Sequence, residues 1–203
     1  SASEPVKRQS ALFKKARVVL KRQAFPQSRS LIEAALAQPM TEQKYIDRAQ
    51  ERATELRKQV DEREHLYAVQ KQIDGIGNEP TPAALAASAK LLEQEPGNVD
   101  VALHRARLFR KGRVFDQAET IYAGLLTGPG ASDPALATRI NNYLADMRLS
   151  ASIIAIGDEP TRAAIAQART LRAQNPQSVD AAFHLALLLR KNRAFDEAET
   201  IYK

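Results

Sequence analysis

The stretch NVDVALHRARLFRKGRVFDQAETIY, Asn98–Tyr122, returns as SVDAAFHLALLLRKNRAFDEAETIY, Ser178–Tyr202. The match extends upstream. Ile76-Gly77 and Glu79-Pro80-Thr81 come back as Ile156-Gly157 and Glu159-Pro160-Thr161, and Pro96 comes back as Pro176. Residues 74–122 and 154–202, aligned without a gap, are identical at 27 of 49 positions. Chance does not give identity over half of such a length. An eighty-residue period spread over several predicted helices implies a repeat architecture.

Composition agrees with helices. Much of the apolar content is Ala, there is no Trp, and only 11 residues are aromatic. Small side chains let helices approach closely, and no run alternates as a half-buried strand would. Cysteine is absent, which removes disulfides, thiolate metal sites and thiol nucleophiles, and permits an oxidising compartment. No apolar run approaches the ~20 residues that span a bilayer. The net charge of +6 is uneven: residues 1–30 hold eight Lys/Arg and one acid, while the rest is nearly balanced.

Along the chain, residues 5–23 read as an amphipathic helix with Leu12, Ala16, Val19 and Leu20 on one stripe. Lys7/Arg8, Lys14/Lys15 and Lys21/Arg22 form a second, basic stripe. Residues 23–26 read as a turn and 27–37 as a helix with Leu31, Ile32, Ala35 and Leu36 inward. A connector follows from Thr41, its expected N-cap, to about Ile73. Tyr45, Ala49, Arg52/Ala53, Leu56, Val60, Arg63, Tyr67 and Gln70 trace a weak heptad stripe along it, and the alternative is a break near Asp61-Glu62. Gly75 and Gly77 are its expected stop. Thr81 then caps a helix over 82–93, and the restarted pattern gives a helix over 161–174. The helices 99–111 and 115–126 are joined at Gly112-Arg113, and 179–191 and 195–203 repeat them. TGPGA, 127–131, is a loop, and Ser132 or Asp133 caps a connector over 134–155. The region 9–36 matches the same unit at an offset of 90: Ala16 falls on Ala106 and Phe25 on Phe115. A ten-residue longer connector is close to three helical turns, so the helix face is nearly kept.

The unit 99–126 resembles a tetratricopeptide repeat (TPR). With Ala118 on that family's small second-helix position, Phe115 and Tyr122 fall on its aromatics, Ala106 on the small residue of the helix crossing, and Phe109 on the large first-helix position. Ala186, Leu189, Phe195, Ala198 and Tyr202 do so in the later copy. The chain departs from the pattern in its eighty-residue period and in Ala102 and Ala182, where the family carries a large residue. The resemblance implies an all-α, right-handed α-solenoid of TPR-like helical hairpins with long spacer helices. It divides into a degenerate hairpin at 1–40, a connector helix at 41–77, a super-repeat at 78–157 and a truncated second copy at 158–203. Residues 60–74 with 82–93, and 134–156 with 161–174, are then expected as further, degenerate hairpins.

No catalytic signature appears. TGPGA lacks the Lys-Ser/Thr of a phosphate loop, no motif frames a nucleophile, and His65, His104 and His184 have no metal-ligand spacing. No cofactor and no metal is expected. His104 and His184 read as polar residues on first-helix faces. The family instead uses its first helices to line a concave groove for a protein or peptide. The resemblance places Asp100, Leu103, His104, Arg107, Arg110 and Lys111 there, with Asp180, Phe183, His184, Leu187, Arg190 and Lys191 from the later copy. The Asn of the carboxylate clamp that some members carry is missing, so a mixed apolar and basic groove for an acidic or amphipathic segment is the expectation. The basic stripe over 7–22 fits an acidic protein, an anionic membrane surface or nucleic acid. It lacks interleaved aromatics and a Trp/Phe face, so a solvated face is the plainer reading.

In composition the chain is also similar to the periplasmic TPR scaffolds of bacterial exopolysaccharide exporters of the cellulose and Pel types. That likeness implies a non-catalytic scaffold in an envelope or export assembly, a periplasmic address with the cytoplasm as alternative, indirect membrane contact only, and oligomerisation through open solenoid ends. Ala198–Lys203 stops inside a helix that reaches Leu126 in the earlier copy, so the sequence is expected to be part of a longer chain.

Overall fold

The computed structural model describes residues 3–202. These form ten α-helices, one 3-10 turn at Pro129–Ala131 and no strand, and the helices pack mostly with their sequence neighbours. The helices are α1 Glu4–Lys21, α2 Phe25–Leu36, α3 Gln43–Ile76, α4 Pro82–Gln94, α5 Val99–Lys111, α6 Phe115–Thr127, α7 Pro134–Ile156, α8 Arg162–Gln174, α9 Val179–Lys191 and α10 Phe195–Tyr202. None is long and apolar enough to cross a membrane. The chain divides into two compact units, up to Gly75 and from Ile76 onward.

In the first unit α1 buries Gln9, Phe13, Ala16 and Leu20, one stripe at helical spacing. Leu12 and Val19, expected inward, lie at its margin because the face is turned towards Phe13. Pro26 sits in the first turn of α2, where its missing N–H costs nothing, so α2 starts at Phe25 and not at Gln27. Ala16 and Ser28 are both fully buried where the two helices cross, and the Ser28 hydroxyl donates to the Ala16 carbonyl at 3.1 Å. Ala49, Ala53, Leu56 and Val60 of α3 close this core.

α3 is uninterrupted. Asp61, at the expected break, is held by Arg29, whose Nη2 lies 2.6 Å from both Asp61 and Glu64. Thr41 does not cap the helix: Glu42 does, its carbonyl accepting from the Tyr45 and Ile46 N–H groups. The expected stripe fails after Val60. Arg63 and Gln70 are exposed, and the buried residues are Val69 and Ile73, because the α1–α2 core that fixed the stripe ends at Val60. The helix runs through Gly75, and the left-handed residue after it is Gly77 (φ +78°).

In the second unit side chains cap five of the helix starts. Thr81, Asn98, Asp133, Thr161 and Ser178 accept from N–H groups of the first turns of α4, α5, α7, α8 and α9. Ala106 and Ala118 are fully buried where α5 crosses α6, and Ala186 and Ala198 take their places between α9 and α10. Leu136, Ile140, Leu144 and Met147 of α7 cover the α5–α6 core, with Tyr143 stacked on Tyr122 at 5.8 Å between centroids.

All three hairpins turn alike. Gln23, Arg113 and Arg193 have φ of 60°, 61° and 62°. In each case that residue's N–H reaches three residues back, and the next N–H reaches five back, the pairing of a Schellman C-cap. The spacing of these residues, 90 and then 80, is the repeat spacing read from the sequence. Glycine is usual at such a left-handed position, yet Gly112 stands one residue earlier at φ −76°. A Cβ there would sit 3.2 Å from that of Pro80, so Gly112 serves a close approach and not the turn.

One difference between the copies is concerted. Arg105 donates to the Leu85 carbonyl (2.8 Å) and to the buried Ser88 hydroxyl (3.0 Å), and lies 4.7 Å from the Phe109 ring centroid. The matching residues in the second copy are Leu185, Ala168 and Leu189, all buried. A polar arrangement has been exchanged for an apolar one as a set. Removing one member strands the other; removing both does not. Ser88→Ala and Arg105→Leu should each cost about 1–2 kcal/mol, and the double variant should cost less than their sum by about 1 kcal/mol. Urea unfolding of the three variants measures this, and strict additivity would refute the coupling.

Candidate functional site

A cleft of about 730 Å³ lies in the second unit, between the C-terminal end of α5, the last turns of α7 and the first half of α9. α5 contributes Arg107, Leu108, Arg110 and Lys111, and Arg113 and Phe115 follow from the turn and α6. Ser150, Ile153 and Ile154 come from α7, and Asp180, Phe183, His184 and Leu187 from α9. Asn78 completes the lining.

Seven of the expected groove residues therefore meet here: Arg107, Arg110, Lys111, Asp180, Phe183, His184 and Leu187. The other five do not. Asp100 is exposed in the first turn of α5, at the far end from the cleft, whereas Asp180 starts α9 beside it. Leu103 and His104 are buried, 3 % exposed each, Leu103 in one core with α7; they present nothing to a groove. Arg190 is exposed outside the cleft, and Lys191 is spent on the Asp158 carbonyl at 2.8 Å. Both repeat-equivalent imidazoles are buried, not set on polar faces.

The charges are unevenly engaged. Lys111 pairs with Glu79 at 2.5 Å. Arg110 reaches Asp146 at 3.8 Å and lies over the Tyr143 ring at 5.4 Å. Arg107 and Arg113 are exposed and have no acidic partner among the described residues. Apolar side chains adjoin them, Phe183 at 57 % exposure and Ile154 at 44 %. Two unspent guanidiniums over an apolar floor attract a carboxylate carried beside a large apolar group. Asp180 adds a carboxylate to the same lining.

His184 lines this floor, 5 % exposed, and its Nε2 has no hydrogen-bond partner. Burial holds its pKa below the ordinary 6.5; Asp158 opposes the shift and Lys191 adds to it. A depressed folded pKa means that the unfolded chain takes up the proton first. The neutral imidazole's contribution is complete above about pH 6.5 and is lost as pH falls from there through the depressed folded value. The urea midpoint should therefore drop more between pH 7.5 and 5.5 in the wild type than in His184→Gln. Equal drops would assign the loss to other groups.

The sequence reading missed Asn78, Leu108, Arg113, Phe115, Ser150, Ile153 and Ile154. The signal for the α7 residues was present. Taking 134–156 as the first helix of a degenerate hairpin implies that its own face borders the groove. Comparison with protein-family models, with curated proteins and with solved structures finds no match to this chain.

Proposed function

We propose that the chain is a non-catalytic scaffold that holds a protein segment in the α5–α7–α9 cleft. The observation that carries this reading is that unspent Arg107 and Arg113 line one hollow with exposed Phe183 and Ile154. Its walls come from the first helix of one hairpin, the helix after it, and the first helix of the next hairpin. That is the surface a TPR-like, right-handed solenoid uses for binding, and we read the fold as one on the strength of the matched crossings and turns. The partner is an acidic, amphipathic segment. Assembly or export of a bacterial envelope or exopolysaccharide system, in the periplasm, remains the setting that the composition suggests.

Selection of displayed peptides on the wild-type chain should enrich sequences that place Asp or Glu beside a large apolar residue. The Arg107→Glu/Arg113→Glu variant should lose this enrichment by on the order of tenfold or more in affinity. Equal enrichment on both proteins would overturn the proposal.

A second reading has its own observation. Lys7, Arg8, Lys14, Lys15, Lys21 and Arg22 of the first unit are all exposed, and only Arg8 has an ion pair among the described residues, with Glu4 at 3.4 Å. Such a stripe attracts an anionic surface, membrane or nucleic acid. Salt separates the two readings, since stripe-driven binding weakens steeply as ionic strength rises, while a partly apolar groove holds its partner.

A further inference from the structure

The three hairpin turns share a side chain that their backbone does not favour. Gln23, Arg113 and Arg193 hold φ of 60°, 61° and 62°, where a Cβ crowds the following carbonyl. Among the described residues, the other two with positive φ are Gly77 and Gly157. The chain thus uses glycine for this conformation outside the hairpins and a long polar residue inside them. All three side chains are exposed, and none has a hydrogen bond or ion pair among the described residues, so no contact within the chain offsets the strain. The pull of a helix C-terminus on a cation does not explain the pattern either, because Gln23 is uncharged.

Arg113 differs from the other two in where it stands. It lines the cleft together with Arg107, Asn78 and Phe115, whereas Gln23 belongs to the first unit and Arg193 is not among the lining residues. Its turn is firmly set. The Arg113 N–H donates to the Arg110 carbonyl at 3.0 Å, and the Val114 N–H to the Phe109 carbonyl at 2.9 Å. The close approach of Gly112 to Pro80 draws the turn against the segment that carries Asn78. The later copy has Asn192 in place of Gly112.

We infer that Arg113 is a specificity-determining residue of the cleft, and that the chain keeps an arginine at this left-handed position, at a cost in stability, to read a carboxylate of the bound segment. The inference rests on the reading of the cleft as a site for an acidic segment. A guanidinium distinguishes a carboxylate from an amide because both carboxylate oxygens accept from its fork of N–H donors, while an amide offers one oxygen and no charge. Glycine would relieve the backbone and remove the fork in one step. Affinity and stability should therefore move in opposite directions at this residue.

The probe is a short fluorescent peptide that alternates Asp with Leu, with an Asn/Leu peptide as its control, each followed by anisotropy on the intact chain. The wild type should prefer the Asp peptide. Arg113→Gly should raise the urea midpoint and weaken binding of the Asp peptide by on the order of tenfold, leaving the Asn peptide as it was. Arg193→Gly should raise the midpoint as well, with both affinities unchanged. A midpoint that Arg113→Gly lowers or leaves in place would mean that the residue carries no cost, and overturns the inference. So does a raised midpoint with unchanged affinity, which makes Arg113 a tolerated surface residue. Arg107→Gln separates the two failures. If it abolishes the preference for Asp while Arg113→Gly does not, the cleft reading stands and this inference falls. A wild type that treats the two peptides alike removes the cleft reading, and the inference with it.

Discussion

Tyr122→Ala should destabilise the chain by about 3–5 kcal/mol, while Tyr202→Ala, the same change in the same FDxAETIY context, should cost under about 1 kcal/mol. Tyr122 is 1 % exposed, stacked on Tyr143 and enclosed by Leu103, Phe109 and α7. Burial raises its phenol pKa, as expected for a ring held in a dry core. Removing it opens a cavity whose walls belong to three helices that cannot all collapse. Tyr202 keeps half its surface in water and one ring neighbour, Phe183. Repeat chains need not unfold in one step. The comparison therefore calls for complete urea curves by circular dichroism, with hydrogen exchange at α5–α7 and α9–α10 to place each loss. Equal costs at the two sites would show that the second is covered in solution.

Ala118→Trp should come next in size, at about 3 kcal/mol, near the top of the overpacking range. Ala118 and Ala106 are fully buried at the α5–α6 crossing. The first hairpin shows how little that slot admits. Its residue at the Ala118 position is Ser28, whose one added oxygen is accommodated by donating to the Ala16 carbonyl. Ala118→Ser should therefore cost less than about 1 kcal/mol, since the hydroxyl finds the same kind of acceptor. The two variants together separate volume from polarity. A tolerated Trp, read from an unchanged thermal midpoint and α5–α6 exchange protection, would mean that the helices do not approach closely there.

Hairpin positions were legible in the sequence because independent signals coincide: small residues at every crossing, the copied turn, and a capping side chain at the starts of α5 and α9. α5 and α9 were placed to the residue. Where one signal stood alone the reading slipped. Thr41 has a capping side chain, but nothing in the sequence shows that the helix waits for Gln43. The α3 stripe beyond Val60 lost the packing partner that defines a face, so heptad spacing pointed to Arg63 and Gln70 instead of Val69 and Ile73. The site was legible in part for a related reason. First-helix residues can be counted off, but which side of α5 is already taken depends on where α7 lies, and Leu103 is buried by a helix over thirty residues later. Identical motifs thus end in different surroundings, as Leu103 and Phe183 show.

The covering helices also set a schedule for synthesis. Twenty-five residues separate Ala35 from Val60, and twenty-two separate Leu125 from Met147, the last buried residues of each core on either side of its loop. At about 5–20 residues per second, each newly made hairpin leaves its apolar face bare for about 1–5 s before its cover emerges. Only nearby segments must meet, so loop-closure entropy stays small and each core can close in turn while the ribosome moves on. A chain built this way is exposed to its neighbours in the cell for short, regular intervals, one hairpin at a time.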